Sequence, residues 1–378
     1  IFSTSWAFAA LKKDGSVVTW LDPEEGGDSR EVYEKLQGGV TEIFSTSGAF
    51  AALKKDGSVV TWGNPDYGGD SSEVASQLQG VTEIFSNKGA FAALKEDGSV
   101  VTWGTPDYGG DSSEVASQLQ GVATIFSNEA AFAALKKDSS VVTWGDTKFG
   151  GNSREVSSQL QGVTEIFSAS GAFAALKEDG SVVTWGVPEW GGDSREVSSQ
   201  LQTGVTAIFS TFVAFAALKE DGSVVTWGYG IAGGDSREVA SQLQGVTEIF
   251  SNKGAFAALK EDGSVVTWGS RDFGGDSSEV SSQLQAGVTA IFSTLKAFAA
   301  LKEDGSVVTW GDSDEGGDSS EVASQLQGVA AIFSHLKAFA ALKEDGSVVT
   351  WGDPDFGGDS SEVSHKLRGG VITLASPL

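Results

Sequence analysis

The chain has 378 residues, no cysteine and no methionine, and 51 acidic against 25 basic side chains, a formal net charge of −26. Without thiols there are no disulfides and no cysteine chemistry, and so negative a surface argues against nucleic acid, whose phosphates are bound through Lys and Arg. No apolar run approaches the length of a membrane span, so the partners left are a protein, in particular one with basic patches, or a glycan.

The composition is that of one unit copied nine times. AFAALKEDGSVVTWG, as it stands at Ala90 to Gly104, recurs with its tryptophan at Trp20, Trp62, Trp103, Trp144, Trp185, Trp227, Trp268, Trp310 and Trp351. A fixed period of about 40 residues marks an array of one supersecondary unit. The repeat runs from residue 1 to 378 without a linker or a shift in composition, which reads as a single repeat domain.

In the copy from Gly80 to Gln120, Val81 to Ser86 is β-branched and aromatic and reads as a first strand. After the loop Asn87-Lys88-Gly89, Ala90 to Lys95 is apolar almost throughout, as expected of a second strand covered on both faces. Asp97-Gly98 supplies the positive φ of a tight hairpin. Ser99 to Trp103 is a third strand rich in Val, Thr and Trp. Gly104 ends it, and a loop leads to Gly109-Gly110. Asp111 followed by Glu114 resembles a capping box, and Val115 with Leu119 spans one helical turn, so a helix of about two turns is predicted. The unit is thus three antiparallel strands and a short helix.

Up-down-up strand order puts the loop after the first strand and the loop after the third at the same end of the sheet. This pair of loops changes from copy to copy, although Asn87-Lys88-Gly89 recurs as Asn252-Lys253-Gly254, while the rest scarcely changes, and variation confined to one face of a repeat array points to a binding face. The residue before Gly-Gly is Tyr67, Tyr108, Phe149, Trp190, Phe273 or Phe356 in six copies and Glu25, Ala232 or Glu315 in the others. A position that accepts Glu and Ala reads as outside the deep core. These aromatics, with Trp6 and Phe212, are the candidate binding residues; the competing explanation is that they fold over the sheet edge. The tryptophans of the repeat and the phenylalanines of IFS and AFA read as core.

The repeat resembles that of the RCC1-like β-propellers, on Ala93, Leu94, Asp97, Gly98, Val100, Trp103, Gly104 and Gly109 and their counterparts in all nine copies. The resemblance implies a mainly β fold, a propeller of nine three-stranded blades each followed by a short helix, with an open β-rich solenoid of nine repeats as the alternative. Gly-Gly-Asp-Ser stands where that family has Gly-Gln-Leu-Gly, and nine copies stand where it usually has seven. Nucleotide-exchange activity in that family belongs to particular members and loops, to which no residue here can be matched. The segment 370–376 reads as a tenth first strand able to close a ring.

Asp28, Asp70, Asp111, Asp193, Asp235, Asp276, Asp318 and Asp359 are positioned as helix caps, with calcium binding as the alternative. Asn152 in the fourth copy favours capping, since Asn caps equally well but lacks the charge. His335 and His365 are the only histidines and lie far apart in the chain, with no nucleophile motif or phosphate loop. The sequence therefore predicts a non-catalytic scaffold or protein-interaction module using the variable loop face, with a multivalent lectin-like carbohydrate binder as one alternative and, by the family resemblance, an RCC1-type exchange factor or chromatin-associated propeller, which the acidic charge disfavours, as another.

Overall fold

The computed structural model describes residues 1–373. It is mainly β: nine three-stranded antiparallel sheets in tandem, each with its strands in chain order. Sheet 3 consists of Val81–Ser86, Ala90–Lys95 and Val100–Gly104. The chain divides into two compact units, Ile1–Asp193 with sheets 1 to 5 and Ser194–Leu378 with sheets 6 to 9.

The alternation of the second strand explains how sheets stack inside each unit. Ala49, Ala51 and Leu53 of sheet 2 face forward and meet Phe91, Ala93, Val101 and Trp103 of sheet 3. Small residues on one face and large ones on the other let neighbouring sheets interlock, and burying each Phe contributes about 1.5–3 kcal/mol. The same set recurs for sheets 1 on 2, 3 on 4 and 4 on 5 in the first unit. It recurs again for 6 on 7, 7 on 8 and 8 on 9 in the second.

Each Phe of AFA stacks on the Trp of its own sheet, as Phe91 does on Trp103 with centroids 5.1 Å apart. The indole N–H, which needs a partner when buried, donates to the preceding repeat: Trp103 Nε1 to Gly68 O at 3.1 Å, and Trp310 Nε1 to Gly274 O at 3.0 Å. Gly68 must be glycine, because a Cβ there would lie 2.7 Å from the Phe91 ring and its φ is +94°. In sheets 2 to 9 the repeat tryptophans and the AFA phenylalanines are therefore core, whereas Phe8 and Trp20 of sheet 1 are partly exposed and the phenylalanines of IFS, such as Phe44 and Phe85, are only half-buried.

At the hairpin end, Asp97 Oδ1 accepts from the Ser99 N–H at 2.9 Å and from its hydroxyl at 2.6 Å. In the fourth repeat Ser139 replaces the turn glycine and holds φ +62°.

Two expectations are corrected. The segment after Gly-Gly is not an α-helix but short 3₁₀ turns such as Ser113–Gln118, with i→i+3 bonds from Val115 N to Ser112 O and from Leu119 N to Ala116 O. A serine-rich run of two turns has too few bonds to offset the cost of helix nucleation, and 3₁₀ geometry serves in such short pieces. Val115 and Leu119 still point to the core, half-buried and 1% exposed. The closing strand 370–376 is likewise corrected as far as it is described: 370–373 form no strand, and Phe2–Ser3 pair with the second strand of their own sheet. Residues 374–376 lie outside the described residues.

Candidate functional site

The loop after the first strand, loop A, and the loop after the third, loop B, lie side by side in each repeat: Thr105 N donates to Gly89 O at 2.9 Å and Asp146 N to Ala130 O at 2.9 Å. Three positions of loop A organise the face.

The first position is a clamp. Asn87 Oδ1 accepts from the N–H groups of Gly89 and Ala90 at 3.0 and 2.9 Å, and its Nδ2 donates to Tyr108 O at 2.7 Å. Asn128 does the same to Phe149 O and Asn252 to Phe273 O. Threonine hydroxyls substitute in Thr46 to Tyr67 O and Thr294 to Glu315 O. Sequence reasoning missed this role, though the signal was there: seven of nine copies carry Thr or Asn, each able to donate and accept. The exceptions are Ala169 and His335, and the His335 Nδ1 is buried without a hydrogen-bond partner.

The second position forms a backbone ladder running across the repeats. In the first unit Ser5 N donates to Ser47 O, Ser47 N to Lys88 O, Lys88 N to Glu129 O and Glu129 N to Ser170 O, at 2.9 to 3.3 Å. In the second, Phe212 N donates to Lys253 O, Lys253 N to Leu295 O and Leu295 N to Leu336 O, at 2.8 to 3.2 Å. Neighbouring side chains interact: Lys88 Nζ lies 2.8 Å from Glu129 Oε2, and Lys253 Nζ 4.8 Å over the Phe212 ring.

The third position is matched in size to the residue before Gly-Gly. Where it is glycine the ring lies against it: a Cβ on Gly89 would be 2.9 Å from Tyr108, one on Gly171 2.7 Å from Trp190, and one on Gly254 3.0 Å from Phe273. Where it is Val213, the partner is Ala232. Where it is Lys296, the partner is Glu315, at 3.6 Å between Nζ and Oε1. The two loops vary together because their side chains pack on each other.

The candidate residues divide accordingly. Tyr67, Tyr108, Phe149, Trp190 and Phe273 are half-buried. Tyr67, Tyr108, Phe149 and Phe273 pack against the clusters between sheets. Phe149 and Trp190 meet edge to face at 5.9 Å. Trp6, Phe212 and Phe356 are exposed, with Lys337 Nζ 4.7 Å over Phe356. The position before Gly-Gly, expected to lie outside the deep core, is half-buried in six copies and exposed at Phe356, but it is buried at Glu315 (5% exposed) and Ala232 (7%), with Lys296 Nζ 3.6 Å from Glu315 Oε1. The exposed Leu336, Tyr229 and Ile231 escaped sequence reasoning.

The aspartates expected to cap helices act one residue earlier. Asp111 Oδ1 accepts from Ser113 N at 2.8 Å, and Asn152 Oδ1 from Arg154 N at 3.1 Å. The Ser113 N–H and hydroxyl hold the Asp111 carboxyl below its ordinary range. Among the described residues no cluster of three or more His, Asp or Glu is arranged to hold a metal ion. A polar cleft recurs between successive repeats at the strand edge, as between Asp111, Ser113 and Glu114 of repeat 3 and Thr143, Asn152 and Arg154 of repeat 4.

No protein-family model matches the chain, and no curated protein matches it. Similar solved structures include Prp20p of Saccharomyces cerevisiae, studied for binding Gsp1p and histones, at 14% identity over 71% of this chain and 81% of that one, TM-score 0.36. The computationally designed Ika8 protein is similar at 16% identity over 82% and 94%, TM-score 0.34. The ectodomain of the Physcomitrella patens receptor kinase CR4 is similar at 16% identity over 70% of each chain, TM-score 0.36.

Proposed function

We propose that the chain is a non-catalytic scaffold that binds a protein partner through its loop face. The observation that carries this reading is the backbone ladder along loop A, which holds one side chain per repeat at a fixed place in each unit while its identity changes. Rigidly held, unlike side chains on a constant frame suit recognition of an irregular protein surface, and little conformational entropy is lost when they bind. Exposed Phe212, Leu336, Tyr229 and Ile231 in the second unit are apolar anchors of the kind that dominate such contacts. The net charge of −26 favours a partner with basic patches. A protein partner is preferred to a glycan because Tyr108, Trp190 and Phe273 each lie against a glycine of their own repeat, whereas sugar stacking needs an open ring face.

Affinity capture from an extract, followed by quantitative binding to the captured protein, tests the proposal. Phe212→Ser with Leu336→Ser should weaken binding about tenfold or more, as loss of an anchor does, while Glu96→Ser at the opposite hairpin end should leave it unchanged. Equal binding by both variants would remove the loop face from the reading, and binding of a glycan array by the full chain would favour the carbohydrate alternative.

A further inference from the structure

The hairpin between the second and third strands places a chemically labile step on the surface of the protein. In eight repeats the turn is Asp-Gly, from Asp14-Gly15 to Asp345-Gly346, and in the fourth it is Asp138-Ser139. All nine aspartates are exposed. In an unhindered Asp-Gly step the glycine nitrogen, shielded by no side chain, attacks the aspartate Cγ. The new N–Cγ bond closes a succinimide as the hydroxyl of the carboxylic acid leaves with the amide proton as water. Water then adds at the aspartate main-chain carbonyl and breaks its bond to nitrogen, so the chain continues through Cβ and Cγ as isoaspartate, unchanged in mass.

Two features of each turn oppose that attack. The first acts on the carbon attacked. Every hairpin aspartate accepts through Oδ1 from the serine two residues on, from its N–H at 2.9 to 3.1 Å and from its hydroxyl at 2.5 to 2.6 Å. These bonds fix the carboxylate and favour its ionised form, so that the Asp97 carboxyl lies below its ordinary range, and a carboxylate releases no water until it is protonated. The second acts on the nitrogen. The Gly98 N–H donates to Lys95 O at 2.8 Å, and those of Gly57 and Gly222 to Lys54 and Lys219 at 2.9 Å, bonds that must be given up before the nitrogen can attack.

We infer that the Asp-Gly turns are sites of spontaneous isoaspartate formation in this chain, and that the serine after each of them is a guard that suppresses the reaction while the hairpin is folded. The turn creates its own hazard: Gly98 stands at φ +78°, where glycine is favoured, and the same absence of a side chain leaves its nitrogen open. Ser99 offsets this without altering the turn. In the fourth repeat the Ser139 side chain shields the nitrogen as well, so Asp138 is protected twice. The bond at risk is the one between repeats, since Val122 N donates to Gly98 O at 2.9 Å and Val81 N to Gly57 O at 3.0 Å. An extra methylene in the main chain at Asp97 displaces that carbonyl, so ageing acts on the joint between repeats 3 and 4 and leaves the loop face at the opposite end.

Incubation of the full chain at neutral pH, with isoaspartate mapped peptide by peptide, tests the inference against the same chain unfolded in urea. All eight Asp-Gly turns should isomerise in urea and much more slowly in the folded chain. Ser99→Ala should raise the folded rate at Asp97 by about tenfold or more, as loss of a hydrogen bond to a charged group does, with the other turns at the parent rate. Ser99→Thr, which keeps the hydroxyl, should stay slow. An unchanged rate at Asp97 in Ser99→Ala, or a folded parent that isomerises as fast as the unfolded one, would overturn the inference. Should Ser99→Ala speed every turn together, which marks unfolding, the fourth repeat gives the same test: Ser139→Gly alone should leave Asp138 slow, and Ser139→Gly with Ser140→Ala should make it fast. Equal rates in those two variants would overturn the inference as well.

Discussion

Asn87 Nδ2 donates to the Tyr108 carbonyl at 2.7 Å while its Oδ1 receives the Ala90 N–H at 2.9 Å, so one side chain ties loop A to loop B across 21 residues of sequence. Loop B is thereby held where its aromatic ring covers Gly89. The loop face is as rigid as these clamps make it.

Removing the clamp should loosen one repeat without unfolding its neighbours, since repeat arrays are stabilised locally. Asn87→Ala strands a backbone carbonyl and two N–H groups and should cost about 1–3 kcal/mol. Native-state hydrogen exchange should show the Ala90 amide exchanging about tenfold faster or more, with the amides of sheet 6 unchanged. Ala169→Thr, at a repeat that lacks the clamp, should slow exchange of the Ala172 amide.

Size matching between the loops predicts coupling. Val213→Gly opens space in repeat 6, and Ala232→Phe alone overfills it. The double substitution recreates the Gly254 and Phe273 pairing of repeat 7. A double-mutant cycle on the unfolding midpoint should show the pair less harmful than the sum of the singles by about 1 kcal/mol or more. Additive effects would mean the loops vary independently.

Ser139 occupies at φ +62° a turn position that is glycine in every other repeat, as Gly98 at +78°. A side chain in the left-handed region costs about 1–2 kcal/mol. Ser139→Gly should therefore raise the unfolding midpoint, and Gly98→Ser should lower it by a similar amount.

The hairpin aspartates set an acid limit. Ser16 donates its hydroxyl and its N–H to Asp14, and these bonds hold that carboxyl down at about 2, from an ordinary value of 3.8. Asp97, Asp138, Asp221 and Asp304 are lowered by the same two bonds from Ser99, Ser140, Ser223 and Ser306. A group whose folded pKa is depressed stabilises the fold above its unfolded pKa and loses that contribution as the pH falls through the folded value. Thermal midpoints should accordingly be flat above about pH 5 and fall between about pH 4 and pH 2. Ser99→Ala should weaken that dependence, which a melting series against pH would measure.

Much of the fold is local and was legible: the hairpin depends on Asp97-Gly98, the third strand on Val100 to Trp103, and the two-faced second strand on the alternation within AFAALK. The 3₁₀ turns were not, because Val115 and Leu119 lie on one side of either helix type, and bond geometry alone separates them. The candidate site was half legible. The strand order placed the two variable loops side by side, as the bond from Thr105 N to Gly89 O shows, but reading each loop by itself made Tyr67 and Tyr108 look like free anchors.

By itself the sequence determined the period, the strands, the turns and which loops share an end, because each depends on residues adjacent in the chain. Only the tertiary structure decided which loop residues are available. Tyr108 is held down by Gly89 and Asn87, and Glu315 is buried against Lys296, through contacts that close only when the strands are paired and the sheets stacked. Phe8 and Trp20 carry the same letters as every buried Phe and Trp of the array, and their exposure depends on what packs against them. Burial belongs to neighbours brought together in space, and the letters of a repeat do not record them.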